Sequence, residues 1–179
     1  MIRYTSGYIC APLTAQRASA LSLTPMVPPS TNADPNRTAY TVSIDANHAD
    51  TSTGISAHDR ALTCNLLARE GVQAGAFRRP GHVLPLVARD GGVRERRGHT
   101  EAAVEFCRLA GREEVAVICE LVEDGEVVEG RAEMENAGMM RRDGCLRFAT
   151  RWGLRCCTIE ALVEYLEKTE GKGTNGTVT

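Results

Sequence analysis

The chain has 179 residues, enough for one substantial hydrophobic core and about one domain. Hydrophobic residues make up 42% and charged residues 25%, the proportions of an ordinary water-soluble globular protein. With 21 basic and 23 acidic residues, the formal net charge of -2 gives no support to a nucleic-acid or membrane-surface partner, which favours small-molecule chemistry.

The first half of the chain predicts a loop, a strand and a helix in that order. Residues 28–38, PPSTNADPNRT, are rich in turn formers and predict an exposed loop, and residues 40–45, YTVSID, predict a strand. A helix is predicted to begin at Ser56, whose hydroxyl can cap it with Asp59 three residues on, and to end at Gly71. Its predicted buried stripe is Leu62, Leu66 and Leu67.

The second half predicts further elements of both kinds. HVLPLVA and EVAVICELV predict strands, the second one buried, and TEAAVEFCRLAG predicts a helix capped by Thr100 and closed by Gly111. The face of this helix that is predicted to be apolar is Ala103, Phe106, Cys107 and Ala110. Two helices follow, at about 143–152 and 158–168, the latter with Ile159, Leu162, Val163 and Leu166 on one side.

Strands and helices are mixed without strict alternation, which predicts an α+β fold with a mixed sheet. The chain is interpreted as a single domain, residues 1–169, followed by a disordered tail, residues 170–179. The seven cysteines are odd in number and show no CxxC spacing, so buried, reduced thiols in a cytoplasmic protein are expected. No segment has the length of a transmembrane helix, and the N-terminus lacks the pattern of a secretory signal.

Three polar clusters fall at the ends of predicted elements. In TSTGISAHDR, the hydroxyls of Thr51, Ser52 and Thr53 and the N–H groups of the following helix suit a phosphate, although a capped helix start explains the segment about as well. In FRRPGHVLPL, a rigid turn leaves His82 at the mouth of a strand, as an acid or base or as a structural histidine.

The third cluster is RRGHTEA, residues 96–102. Arg96 is suited to bind a phosphate or carboxylate, and His99 to supply one nitrogen to a metal ion. Glu101 is first interpreted as a carboxylate that complements the helix dipole. One histidine does not make a metal site, because magnesium or manganese also requires oxygen ligands.

Taken in order, these clusters resemble those of the 3,4-dihydroxy-2-butanone 4-phosphate synthases of riboflavin biosynthesis, particularly the fungal ones. The matching segments are SGYIC, TAYTVSID, TGISAHDRA, FRRPGHVLPL, GGVRERRGHTEAAVEFCRLAG, VICELV and TIEALVEYL. The most specific is RPGHVLPL with RRGHTEA beginning 17 residues after its start. The resemblance implies the mixed-sheet α/β sandwich of the dihydroxybutanone phosphate synthase and YrdC-like type.

The resemblance also implies a magnesium-dependent lyase, with manganese as the alternative ion, that converts D-ribulose 5-phosphate to formate and L-3,4-dihydroxybutan-2-one 4-phosphate. By position, His82 and Glu120 correspond to residues essential for turnover, and His99 to a metal ligand. The implied substrate-binding run is Arg96, Arg97, Gly98, His99 and Thr100, to which Glu120 is added, with Thr53 and Asp59 in support. Without the resemblance, the preferred interpretation of Glu120 is the first solvated residue after a strand. The family acts as a homodimer, so a dimer is implied here.

The family's acidic N-terminal loop, which supplies a metal-binding glutamate, has no counterpart before RYTSGYIC. We therefore expect an N-terminally truncated member with little lyase activity of its own. Two alternatives to an active enzyme stay open, a catalytically silent scaffold or interaction protein and a nucleotide-binding domain of the YrdC-like fold. Cys10 matches a cysteine of the family and is either a reactive, glutathionylated thiol or a small buried hydrophobe.

Overall fold

The protein was analysed as a computed structural model that describes residues 1–123, 125–132 and 137–170. The chain forms two compact units. The larger unit consists of Ile9–Ile118 and Ile159–Thr179, and the smaller unit consists of Met1–Tyr8 and Cys119–Thr158. Both units combine helices with antiparallel or mixed strands, which confirms the predicted α+β class.

A mixed sheet forms the centre of the larger unit. Its strands are β1 (Cys10–Leu13), β2 (Ile44–Ala46) and β3 (Phe77–Val87), in the spatial order β1-β3-β2. The central strand β3 is parallel to β1 and antiparallel to β2. All residues of β1 and β2 are buried, as expected for short strands enclosed on both faces.

Three sequence predictions for strand regions differ from the structure. The strand predicted at residues 40–45 is observed only as β2, Ile44–Ala46, with Tyr40 and Thr41 in isolated bridges outside it. Residues 79–81, predicted to form a rigid turn immediately before a strand, lie inside β3. The predicted buried strand EVAVICELV is largely irregular, and its residues Val115 and Ile118 form only single bridges to β1, with Leu13 and Cys10. Because the segment pairs with β1 at isolated positions, its apolar run is only partly covered, and Val117 is 38% exposed.

The helices of the described residues occur in both units. They are α1 (Ala15–Ala20), α2 (Ala57–Ala68), α3 (Gly92–Glu95), α4 (His99–Leu109), α5 (Arg142–Trp152) and α6 (Ile159–Glu170). Helices α5 and α6 lie within one or two residues of their predicted bounds. None of the helices in residues 1–123, 125–132 and 137–170 is long and apolar enough to cross a membrane.

Helix α2 begins as predicted, because the Ser56 hydroxyl accepts the Asp59 N–H at 3.0 Å. It ends at Ala68, three residues before Gly71. Its buried side is more polar than predicted, because Leu67 is buried together with Asp59, Arg60, Thr63 and Cys64, whereas Leu62 and Leu66 are half-buried. The predicted leucine stripe is therefore wrong in part.

Helix α4 corrects two predictions. Gly98 is its N-cap residue, and Thr100 lies inside the helix, 5% exposed, so Thr100 is not the cap. The buried stretch is Thr100–Glu105, whereas Phe106 is 46% exposed. The predicted apolar face is displaced because two glutamates of α4 are buried in ion pairs with arginines, Glu101 with Arg96 and Glu105 with Arg108.

Helix α6 covers α3 and α4 with an apolar face, as its periodicity predicts. The buried cluster consists of Val93, Ala102, Leu162, Val163 and Leu166. At the end of α6, Glu170 pairs with Arg94 and Arg108, and these hydrogen bonds, from Arg108 first, lower its pKa. The sequence predicts that Glu170 belongs to the disordered tail, but it is the last residue of this helix. Residues 171–179 lie outside the described part of the chain.

The smaller unit contains α5 and a two-stranded antiparallel ribbon of β4 (Val122–Glu123) and β5 (Gly138–Met139). The ring of Trp152 on α5 lies 4.7 Å from that of Tyr4, centroid to centroid. None of the seven cysteines, all of which are described, forms a disulfide. Only Cys10 and Cys64 are buried, so the expectation of buried thiols holds for two of them.

We expect Leu166→Ala to lower the free energy of unfolding by about 2–5 kcal/mol, because Leu166 is fully buried and the substitution leaves a cavity under α6. Urea denaturation at pH 7 measures the change. The matched control is Leu109→Ala, since Leu109 is 40% exposed and its truncation leaves no cavity. Equal losses for the two variants would contradict the assigned core.

Candidate active site

An irregular pairing between β2 and β3 creates the first part of the site. Ile44 lies opposite Val83, whereas the next residue, Asp45, lies opposite Arg78. Residues 79–82 of β3 therefore bulge out opposite the Ile44–Asp45 peptide. Gly81 lies against β2 in this bulge, where a Cβ atom would overlap the backbone of Ile44. The rigid turn predicted before the strand is thus a bulge within it.

The bulge places His82 on the carboxylate of Asp45. The His82 backbone N–H donates to Asp45 Oδ1 at 2.8 Å, and His82 Nδ1 lies 2.8 Å from Asp45 Oδ2. Asp45 is 5% exposed, whereas the His82 side chain is 41% exposed. Because Asp45 accepts at both oxygens, Nδ1 carries the proton of a neutral imidazole, and Nε2 is left to take a proton from a substrate.

The loop before α2 closes over this pair. Gly54 has a φ of +91°, and a Cβ atom there would overlap the Asp45 carboxylate and lie 2.7 Å from His82 Nδ1. Its N–H donates to Asp59 Oδ2 at 2.9 Å, and the Ser52 hydroxyl donates to the same oxygen at 2.7 Å. Glycine is thus required here both by the backbone conformation and by the close approach.

Asp59, predicted to support the substrate, is 2% exposed and is held by its own loop. The hydrogen bond from the Ser52 hydroxyl, followed by the bond from the Gly54 N–H, lowers the pKa of Asp59 despite its burial. Thr53, between these two donors, is exposed. Asp59 therefore shapes the loop, and Thr53 is the residue of this pair with access to a ligand.

The Arg96 guanidinium is engaged with protein groups on three sides. Arg96 Nη1 lies 2.6 Å from Glu101 Oε2, Nε donates to the Asn36 carbonyl at 3.1 Å and Nη2 donates to the Thr38 hydroxyl at 3.3 Å. Glu101 is 1% exposed and also accepts the Arg89 N–H. Glu101 is thus a buried counter-ion, more than a complement to the helix dipole.

The other residues of the 96–100 run differ in their surroundings. Arg97 is exposed and pairs with Glu160 at 2.5 Å, Gly98 is the N-cap, and His99 is the exposed first residue of α4. Thr100 is buried. Within this run, His99 and Arg97 are therefore the side chains exposed for a ligand.

Glu120 belongs to the smaller unit, whereas His82 and His99 belong to the larger one. Glu120 is exposed, and its carbonyl accepts the Ser6 N–H at 2.9 Å. The prediction that His82, His99 and Glu120 share one pocket stays a prediction.

Asp45 is the functional candidate that the sequence analysis missed. It ends the run YTVSID, for which the sequence predicts a strand and no functional role. The signal available was an acidic residue at the buried end of a strand, since a buried carboxylate requires a partner.

The described residues offer few side-chain donors that a metal ion could bind. Among residues 1–123, 125–132 and 137–170, no group of three His, Cys, Asp or Glu side chains is placed to hold a metal ion. His99 offers one imidazole, whereas magnesium prefers oxygen ligands. The described residues therefore do not fit a complete magnesium site.

Comparison with known proteins identifies the family. The family model of 3,4-dihydroxy-2-butanone 4-phosphate synthase matches residues 1–165. The chain belongs to this family. It is 62% identical over 177 residues to the synthase of Pyricularia oryzae, which covers 98% of this chain and 75% of that protein. It is 47% identical to the synthase of Schizosaccharomyces pombe, with 93% of this chain and 76% of that protein covered.

Solved structures of the synthase family agree with this assignment. A crystal structure of 3,4-dihydroxy-2-butanone 4-phosphate synthase in complex with two magnesium ions is 61% identical, with a TM-score of 0.91, and covers 97% of this chain and 79% of that chain. A cation-free form of such a synthase has a TM-score of 0.86 at 59% identity and covers 96% of this chain and 78% of that chain. The predicted synthase fold is confirmed, and the chain spans about three quarters of the length of these relatives.

We expect Gly54→Ala to separate His82 from Asp45, because the new methyl group occupies the space of the carboxylate. A change in the imidazole nitrogen shifts of His82 and a lower unfolding free energy are the expected results. Gly71→Ala is the control, since Gly71 also has a positive φ, +73°, but open space at its Cβ position. This substitution should lower the free energy of unfolding only through backbone strain, by about 1–2 kcal/mol. An unchanged His82 signal in Gly54→Ala would contradict the contact.

Asp59 gives a pH dependence of stability. The pKa of Asp59 in the folded protein lies below the unfolded value of about 3.9. Its contribution to the free energy of unfolding is therefore complete above that pH and is lost as the pH falls through the folded pKa. We expect Asp59→Asn to be less stable than the parent at pH 7, with a difference that narrows below about pH 4. Urea denaturation across this range measures it. A stability difference between Asp59→Asn and the parent that stays constant across this range would contradict the expectation.

Proposed function

We propose that this chain is a lyase that converts D-ribulose 5-phosphate to formate and L-3,4-dihydroxybutan-2-one 4-phosphate in riboflavin biosynthesis. The observation that carries the proposal is the pairing of His82 with buried Asp45 in a member of the synthase family. The names of the similar proteins favour an enzyme over a silent scaffold.

The reaction begins with removal of a proton next to a ketone, which requires a base near neutral pH. His82 suits this task because Asp45 holds its Nδ1–H and leaves Nε2 as the accepting nitrogen. The same carboxylate stabilises the imidazolium that forms when Nε2 takes the proton. His82 is thus the proposed catalytic base, and Asp45 is its positioning residue.

The substrate is proposed to lie between the loop before α2 and the start of α4. Thr53 supplies an exposed hydroxyl, and Arg97 supplies an exposed guanidinium that the phosphate would share with Glu160. Arg96 takes part in this proposal by holding Glu101 and the 32–38 loop in place. The remaining proposed contacts are Gly98 and His99, and the buried residues Thr100 and Asp59 contribute through the backbone around them.

Glu120 is proposed as a second group that exchanges protons with the substrate, on the basis of its position in the family pattern. Its exposure keeps the carboxylate accessible. Its replacement by Gln is expected to lower kcat without unfolding the smaller unit, since only its backbone carbonyl bonds to Ser6.

A divalent cation is proposed to assist, because a similar synthase was crystallised with two magnesium ions. The ion would polarise adjacent oxygens of the sugar, and His99 is the ligand proposed from this chain. The described residues offer this ion no complete set of ligands. Manganese is the alternative ion.

A homodimer and a cytoplasmic location accompany the proposed activity. The family resemblance supports the dimer, and seven cysteines without a disulfide suit a reducing compartment.

The test is formate release from ribulose 5-phosphate by the full chain, with and without magnesium or manganese. We expect His82→Gln to lower kcat by about 10²–10⁴-fold, because it removes the base, and Asp45→Asn to lower kcat in the same direction. The rate of the parent, compared with that of a longer relative, also tests the sequence-based expectation of weak activity.

The chain contains a matched control for this experiment. His48 also faces an aspartate, Asp50, at 3.6 Å, but both side chains are exposed. His48→Gln should leave kcat unchanged. The proposal fails if the parent releases no formate, or if His82→Gln and His48→Gln have the same effect.

A further inference from the structure

The seven thiols of the protein fall into a shielded group and an exposed pair. Burial raises the pKa of the Cys64 thiol to about 11 and also raises the pKa of Cys107. The half-buried thiols each lie near a protein oxygen: Cys107 near the Val115 carbonyl, Cys119 near the Thr5 hydroxyl and Cys145 near the Met140 carbonyl. Cys10 is buried in β1. Because thiol reactivity depends on exposure, these five are less accessible to a reagent than the remaining two.

The two exposed thiols, Cys156 and Cys157, are neighbours in the sequence. They lie in the segment 154–158 that follows α5, which has no regular secondary structure and whose residues are all exposed. The Leu154 N–H donates to the Ala149 carbonyl of α5 at 2.8 Å, whereas Cys156 and Cys157 themselves lie outside any helix or strand. Their exposed side chains can therefore turn toward one ligand.

The short Cα–Cα distance between adjacent residues strains a direct disulfide between them. Neighbouring Cα atoms are about 3.8 Å apart across a trans peptide, below the usual range of about 4.4–6.8 Å for disulfides. An atom bridging the sulfurs relieves this conflict. Two bonds of about 2.3 Å, the length of a zinc–thiolate bond, that meet at about 100° hold the sulfurs about 3.5 Å apart, close to the Cα separation.

The number of protein ligands available at this position determines which element can bridge the two sulfurs. Zinc in a structural site requires four protein ligands, and within the described residues no third His, Cys, Asp or Glu joins the pair in a metal-binding group. An arsenic(III) atom that carries one organic group requires only two thiolates. We propose that Cys156 and Cys157 form a chelating dithiol site for trivalent organoarsenicals.

The reaction conserves the oxidation state of arsenic. An arsenoxide R–As=O reacts with both thiols, two As–S bonds form, and the As=O oxygen leaves as water with the two thiol protons. The product is R–As(S–Cys)₂, and no oxidant or reductant is consumed. The site is independent of the proposed lyase activity, in which neither thiol takes part.

The experiment uses the full chain, phenylarsine oxide as the probe and intact-protein mass spectrometry. We expect one arsenical per chain, loss of two rapidly titrating thiols, and reversal by ethanedithiol but not by a similar concentration of 2-mercaptoethanol. Cys156→Ser and Cys157→Ser should each weaken binding by about 100-fold or more, because only one bond to the protein remains.

Cys145→Ser is the control and should bind like the parent, since Cys145 is shielded. Trp152 emission, which reports on the aromatic contacts of the smaller unit, checks that each variant is folded. The proposal is overturned if either exposed-site variant binds as tightly as the parent. It is equally overturned if no adduct forms, or if mild peroxide gives an intrachain Cys156–Cys157 disulfide as the stable product.

Discussion

The buried carboxylate of Asp45 is the group around which the candidate site is organised. It accepts the backbone N–H and the ring N–H of His82, so it holds the bulge of β3 and orients the imidazole at once. Gly54 lies against the same carboxylate, which fixes the loop that precedes α2. A buried carboxylate is tolerated only when its oxygens are bonded, so the position of the bulge, the ring and the loop depend on one another. The base proposed for the reaction is thus held by backbone geometry as well as by a side chain.

The sequence predicted what local chemistry decides. The Ser56 cap defined the start of α2, and the spacing of Leu162, Val163 and Leu166 defined the buried face of α6, because both depend on residues within a few positions. The pair of Asp45 and His82 escaped prediction because it joins residues 37 apart through an irregular strand register. His82 itself was identified, but its partner was not.

Helix α4 shows a second limit of sequence patterns. Hydrophobic periodicity assumes that glutamates face water, whereas Glu101 is buried against Arg96 and Glu105 against Arg108. Removing the arginine from such a pair leaves a buried carboxylate without its counter-ion, which is destabilising, so both arginines are structural in the first place. Arg96, selected from its sequence as an anion-binding group, therefore contributes to a site by keeping the residues beside His99 in position.

The order of the two units along the chain affects how a nascent polypeptide reaches its final state. The first segment of the larger unit ends at Ile118, and its second segment begins at Ile159, after all of the smaller unit has been synthesised. Until α6 emerges from the ribosome, the apolar sides of α3 and α4, at Val93 and Ala102, lack their cover. Exposed apolar surface of this kind attracts chaperones and favours aggregation. Translation speed through residues 119–158 therefore sets how long that surface stays unprotected.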